Sequence, residues 1–135
     1  YSTKEVTLKD FQLAKEFDLL SSAHIWGMPN RIVKEGYALL NKEGLLNEKH
    51  NIVHGNYLEE EEIKIIVDSG ASVTSTPVAE LQTHGVEPIV TKVSKLGGYP
   101  SIGSDLEIYS GAGMLDIIRS SLRSQRIFSM MMSNK

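Results

Sequence analysis

At 135 residues, 41% of them hydrophobic and 23% charged, the chain suffices for one domain with a filled core and is too short for two. Its net charge of −3 gives no basic character suited to nucleic acid, and no stretch reaches the roughly 18 apolar residues of a membrane span. Cysteine is absent, which excludes disulfides, thiolate nucleophiles and cysteine-held zinc, so any metal must sit on His and carboxylate.

The polar start, Tyr1 to Glu5, is no signal peptide, and the missing initiator Met suggests a chain beginning inside a longer protein, read as cytoplasmic. Leu8, Phe11, Leu13, Ala14 and Phe17 form one stripe, which predicts a helix from Thr7 to Asp18 with Thr7 as its cap. Leu20 to Ile25 reads as a buried strand, followed by a Gly- and Pro-containing loop from Trp26 to Asn30. A second helix is expected over Lys34 to Leu46, weakened by Gly36 inside it. Asn51 to His54 is the second strand. Glu59 to Ser69 is the third helix, closed by Gly70. Ala71 to Ser75 is the third strand, and a long loop through Pro77 and Gly85 leads to a helix opened by Pro88 and ending near Leu96. Ser101 to Ser104 is the fourth strand. The last helix runs from Gly113 to Arg126 on Leu115, Ile118 and Leu122, with Met130 to Met132 as a frayed tail.

Strands alternating with helices at this interval predict an α/β fold of four parallel βα units. Four units make half of a (β/α)8 TIM barrel or a small open doubly wound sheet, and segment order alone does not choose between them. His24, His54 and Asp105 each fall at or just beyond the C-terminal end of an expected strand, the rim on which barrel active sites are built. Two imidazoles and a carboxylate there suit a zinc-like divalent cation. Taken singly, each has a bland reading: a structural histidine for His24 or His54, an Asx-turn for Asp105. His50, at the opposite end of its strand, reads as structural. The run Glu59 to Glu62 reads as a solvated helix start favoured by the dipole.

From about Thr7 to Arg126 the chain resembles the amidohydrolase superfamily, in its cytosine deaminase and chlorohydrolase branch. The resemblance is carried by Ser22 to Gly27 (SAHIWG), Ile52 to Gly55 (IVHG), Thr76 to Gly85 (TPVAELQTHG) and Pro100 to Asp105 (PSIGSD), in the order of barrel strands five to eight. It implies that residues 1–135 form one partial barrel, the C-terminal half of a metal-dependent enzyme that hydrolyses a C–N bond, or a C–Cl bond, on a small ring compound. By the same resemblance His24 would ligate the divalent metal, zinc in the full-length parent. His54 would hydrogen-bond the substrate or the attacking water. Asp105 would both bind metal and shuttle a proton. Trp26, Asn30, Glu80 and His84 would face the substrate.

Two family features are missing. There is no His-x-His pair of the kind strand one contributes, and Gly27 stands where many members place a Glu three residues after the strand-five histidine. The chain alone is therefore expected to be inactive. The reading from another class is a non-catalytic remnant that folds and associates. A half-barrel would also leave two open strand edges and an apolar inner face, so a homo-oligomer is expected.

Overall fold

In a computed structural model the chain is described over residues 2–25, 32–110 and 113–133. Helix α1 (Lys4–Glu16) starts a turn earlier than the sequence pattern predicts, because Thr3, not Thr7, caps it: Thr3 Oγ1 accepts the Val6 N–H at 3.4 Å. Strand β1 (Ser21–Ile25) follows. Helix α2 (Gly36–Lys42) is shorter than expected and begins at Gly36. It ends at Gly44, whose φ of 64° turns Leu45 and Leu46 back into the core.

Strand β2 (His50–His54), helix α3 (Glu60–Asp68) and strand β3 (Ser72–Ser75) fall where the pattern places them, within a residue or two. The segment after β3, expected as a loop, is helical. Helix α4 (Pro77–Ala79) runs straight into a wide π-helical turn, Glu80–His84, closed by Gly85 at φ 65°. Helix α5 (Ile89–Lys95), strand β4 (Ser101–Ile102) and a short helix α6 (Glu107–Ser110) come next. Helix α7 (Met114–Ser133) ends the described chain and takes in Met130 to Met132, which are not a frayed tail.

The four strands form one parallel sheet in the order β1-β2-β3-β4. Register partners share a face, since side chains alternate along a strand. Ala23, Ile52 and Val73 form a row on the helix-covered face. There Ile52 and Val73 join Ile25, Tyr37, Leu40, Ile63, Ile66, Ile89 and Val93 in the hydrophobic core, with Leu8 and Phe11 of α1 packed against it.

The opposite face differs from the apolar surface expected. Ser22, Asn51 and Ser72 form one row, and His24, Val53, Thr74 and Ser101 the next. The hydroxyls and the amide are tied across the strands. Asn51 Nδ2 donates to Ser22 Oγ at 3.1 Å, while Ser72 Oγ and Thr74 Oγ1 donate to Asn51 Oδ1 at 3.1 and 3.0 Å. With the Thr74 proton committed, Ser101 donates across the 2.8 Å contact to Thr74 Oγ1. Parallel strands buried on both faces read as continuous aliphatic runs, and these alternate instead.

Helix α7 also departs from expectation. Leu115, Ile118 and Leu122, expected to face the core, are exposed, while Ile117, Ser121 and Ser124 are buried. Two faces of this helix carry apolar residues at helical spacing, and periodicity does not choose between them. Among the described residues no helix is long and apolar enough to cross a membrane.

Candidate active site

Strand β2 ends abruptly. His54 has a φ of 66° and Gly55 a φ of 100°, two successive residues in the left-handed region. A Cβ on Gly55 would lie 2.9 Å from Leu58 Cδ1, so both backbone conformation and space call for glycine there. The turn takes the His54 side chain out of the strand alternation. Asp105, three residues past β4, is also left-handed at φ 59°. Non-glycine residues in this region are strained and persist where the surrounding structure holds them, often at functional sites.

The side chains meet at this end of the sheet. His54 Nε2 lies 3.8 Å from Asp105 Oδ2, and the His54 ring centroid is 5.4 Å from that of His24 and 5.0 Å from that of His84. His54 Nδ1 faces Thr76 Oγ1 at 3.1 Å and Glu80 Oε1 at 3.5 Å, the second a close ion-pair contact rather than a good hydrogen bond. His24, His54, His84, Glu80 and Asp105 thus form one cluster, drawn from β1, β2, the turn after α4 and the segment after β4. His24 additionally lines a cavity of about 330 Å³ with Leu8, Phe11, Tyr37 and Leu40, which His54, His84 and Asp105 do not border. Trp26 and Asn30 lie outside the described residues.

Glu80 occupies a different environment from the substrate contact expected of it. It is 0% exposed, and its carboxylate accepts from the Thr76 N–H (2.7 Å), Ser75 Oγ (3.0 Å), Asn56 Nδ2 (3.0 Å) and the Ile89 N–H (3.0 Å). Burial alone would push this carboxyl up. Contacts from His54, Thr76, Asn56 and Ile89 outweigh it and hold the group below the ordinary carboxylate value, hence ionised. These bonds hold the wide turn of Glu80–His84 in place, since one carboxylate grips the chain both before α4, at Thr76, and at the first residue of α5, Ile89.

His84 is half-buried. Its Nδ1 lies 2.8 Å from Asn56 Oδ1, and its backbone carbonyl accepts from Tyr57 OH at 3.1 Å. Its pKa is lowered by burial first and by the neighbouring His54 second, with Glu80 and Asp105 opposing. Asn56 and Thr76, central to this network, were not singled out in the sequence. The signal for Asn56 was its place directly after His54 and Gly55 at a strand end.

Two imidazoles and a carboxylate are donors that suit zinc. Among the described residues, however, no three His or carboxylate side chains converge closely enough to hold a metal ion. His24 and Asp105 do not make a complete site by themselves.

The arrangement defines a class: a parallel βα sheet whose titratable side chains gather at the C-terminal ends of its strands, as in barrel enzymes. No family model matches the chain. It is 30% identical to guanine deaminase from Mus musculus, in a match that covers 91% of this chain and 28% of that protein. The structure is similar to that of a zinc-bound adenosine deaminase from Xanthomonas campestris, with a TM-score of 0.73 and 20% identity over 87% of this chain and 29% of that one. An amidohydrolase from Brucella melitensis matches at a TM-score of 0.73 and 20% identity over 96% of this chain and 30% of that one. The chain is thus similar in sequence to a deaminase and shares the fold of part of an adenosine deaminase and of an amidohydrolase, spanning less than a third of the length of each.

Proposed function

We propose that this chain is the strand-five to strand-eight portion of a hydrolase that cleaves a C–N bond on a small nitrogen heterocycle, releasing ammonia. The observation that supports it best is the contact of His54 with Asp105, both in strained left-handed backbone at the C-terminal ends of the strands. In this reading Asp105 accepts the proton of the attacking water and His54 orients the substrate or that water. His84 lies beside them against the ring. His24 and Asp105 are the ligands the chain would offer to a divalent metal, with further ligands needed from elsewhere. Trp26 and Asn30 remain proposed substrate contacts.

The test is ammonia release from guanine, adenosine and an amino-triazine, by this chain and by the same chain joined to an upstream segment bearing a His-x-His pair. Turnover is expected of the joined form alone. Asp105→Asn in that form is expected to lower kcat at least ~100-fold through loss of the proton acceptor. A joined form without turnover, or an Asp105→Asn variant near normal, overturns the reading. By itself the chain is expected to bind zinc no tighter than micromolar in isothermal titration, since catalytic sites use about three protein ligands. Submicromolar binding abolished by His24→Ala would show that two ligands were undercounted.

The reading extends to assembly. Strands β1 and β4 are open parallel edges, bordered by Leu20 at 84% and Tyr99 at 98% exposure, and α7 exposes Leu115, Ile118 and Leu122. Open edges beside apolar surface favour pairing with another chain. A homodimer or larger oligomer is expected in sedimentation equilibrium at micromolar concentration. A clean monomer mass counts against it.

A further inference from the structure

We propose that Glu80 is a positioning residue, a buried anion that dictates which ring nitrogen of both His54 and His84 carries a proton. The value of this for catalysis rests on the function proposed above; the proton placement itself does not.

For His84 the assignment follows from counting donors. Asn56 Nδ2 has two hydrogens, and both are committed, one to Glu80 Oε2 at 3.0 Å and one to the Glu87 carbonyl at 3.0 Å. The ionised Glu80 carboxylate and the carbonyl are acceptors only, so the Asn56 amide cannot be reversed without losing both bonds. Its Oδ1 therefore faces His84 Nδ1, 2.8 Å away, as an acceptor. That nitrogen must be the N–H, and in the neutral ring Nε2 is left as a lone pair. Free imidazole in water favours the other tautomer, so Glu80 and the Glu87 carbonyl, acting together through Asn56, impose the rarer one.

For His54 the contest is between two carboxylates. Thr76 Oγ1 at 3.1 Å from Nδ1 can donate or accept, and decides nothing alone. Glu80 Oε1 stands 3.5 Å from Nδ1 and is wholly buried. Asp105 Oδ2 stands 3.8 Å from Nε2 on a side chain 26% exposed. The nearer, drier charge acts through the lower effective dielectric and prevails. A proton on Nδ1, with Thr76 Oγ1 as its acceptor, follows. Thr76 is itself fixed by the 2.7 Å bond from its N–H to Glu80 Oε1. A single carboxylate thus orders both rings, one directly and one through an amide it shares with the Glu87 carbonyl, so that each keeps Nε2 for the solvent or ligand side of the cluster.

The proposal is tested on the whole chain by ¹⁵N-detected correlation of histidine ring nitrogens at about pH 8, above the ordinary histidine range. In the wild-type chain Nδ1 of His54 and of His84 is expected to be protonated. In Glu80→Gln the amide oxygen keeps the three donors at Oε2 and its NH2 turns to His54, so the Nδ1 proton is expected to be lost from His54, while His84 keeps its own because Asn56 still donates to the Glu87 carbonyl. Thr76→Val, which removes the hydroxyl but keeps the charge, is expected to leave Nδ1 of His54 protonated. A bare Nδ1 on either ring of the wild type overturns the proposal even if Glu80→Gln fails to fold. So does a folded Glu80→Gln chain with the Nδ1 proton of His54 retained, or its loss from His54 in Thr76→Val. Tautomers as expected in a form that releases no ammonia would refute the enzymatic reading and leave this one standing.

Discussion

Glu80→Ala is expected to cost the fold about 3–5 kcal/mol, the range for removing one partner of a buried charged network. Four donors converge on this carboxylate: two backbone N–H groups, a hydroxyl and an amide. Alanine would leave all four without an acceptor in a place water does not reach. Domains of this size are stable by about 5–15 kcal/mol, so the variant should be mostly unfolded at modest denaturant, if it folds at all. Urea titration followed by far-UV circular dichroism checks this. Glu80→Gln, which keeps one acceptor oxygen, is expected to fall between the two. A midpoint for Glu80→Ala within error of the wild type would mean the donors find other partners at no loss.

Acid should undo the chain from His50. This side chain is 2% exposed, packed against Phe11 at a ring distance of 4.3 Å, and bonded through Nδ1 to Ser21 Oγ at 2.7 Å. Among the described residues its Nε2 has no hydrogen-bond partner, and burial lowers its pKa from 6.5 to about 4. The folded form therefore resists a proton that the unfolded chain accepts. The stability this represents is fully present above pH 6.5 and is lost progressively as pH falls to about 4, with no further loss below. A shift of this size corresponds to about 3 kcal/mol. Denaturant titrations at pH 7 and pH 4.5 should differ by most of that amount in the wild type. The difference should shrink markedly in His50→Leu, which has nothing to titrate at that position. An equal acid sensitivity in both would assign the effect to other groups.

The sequence made the βα alternation legible because each strand is a short segment bounded by turn residues and the helices carry apolar stripes. It also brought out His24, His54 and Asp105, since chemistry at strand ends can be read from a linear pattern. Glu80 was visible as a polar residue near the rim, but not as a hub. Its partners Asn56, Thr76 and Ile89 come from three segments, and their convergence exists only after folding. The helical character of residues 77–84 was hidden because Pro77 and Gly85 read as loop signals, while the bonds of Glu80 to Ser75, Thr76 and Ile89 that hold this turn leave no periodic pattern. The exposed stripe of α7 escaped because apolar spacing identifies a helix without saying which face is covered. The alternation of Ser22 and His24 with Ala23 and Ile25, and of Ser72 and Thr74 with Val73, was in plain view as a period of two. It marks one face of the sheet as polar.

That polar face changes how the molecule would go wrong. An open parallel sheet ordinarily fails by adhesion of its bare aliphatic surface, which no single substitution repairs. Here Asn51, Ser22, Ser72, Thr74 and Ser101 already satisfy one another, and water can wet them at little loss. Apart from the exposed stripe of α7, the liability lies along the two edge strands of the described sheet. One inward charge or proline on each edge strand, the device natural sheets use against such pairing, would block edge-to-edge contact without redesigning the face between them.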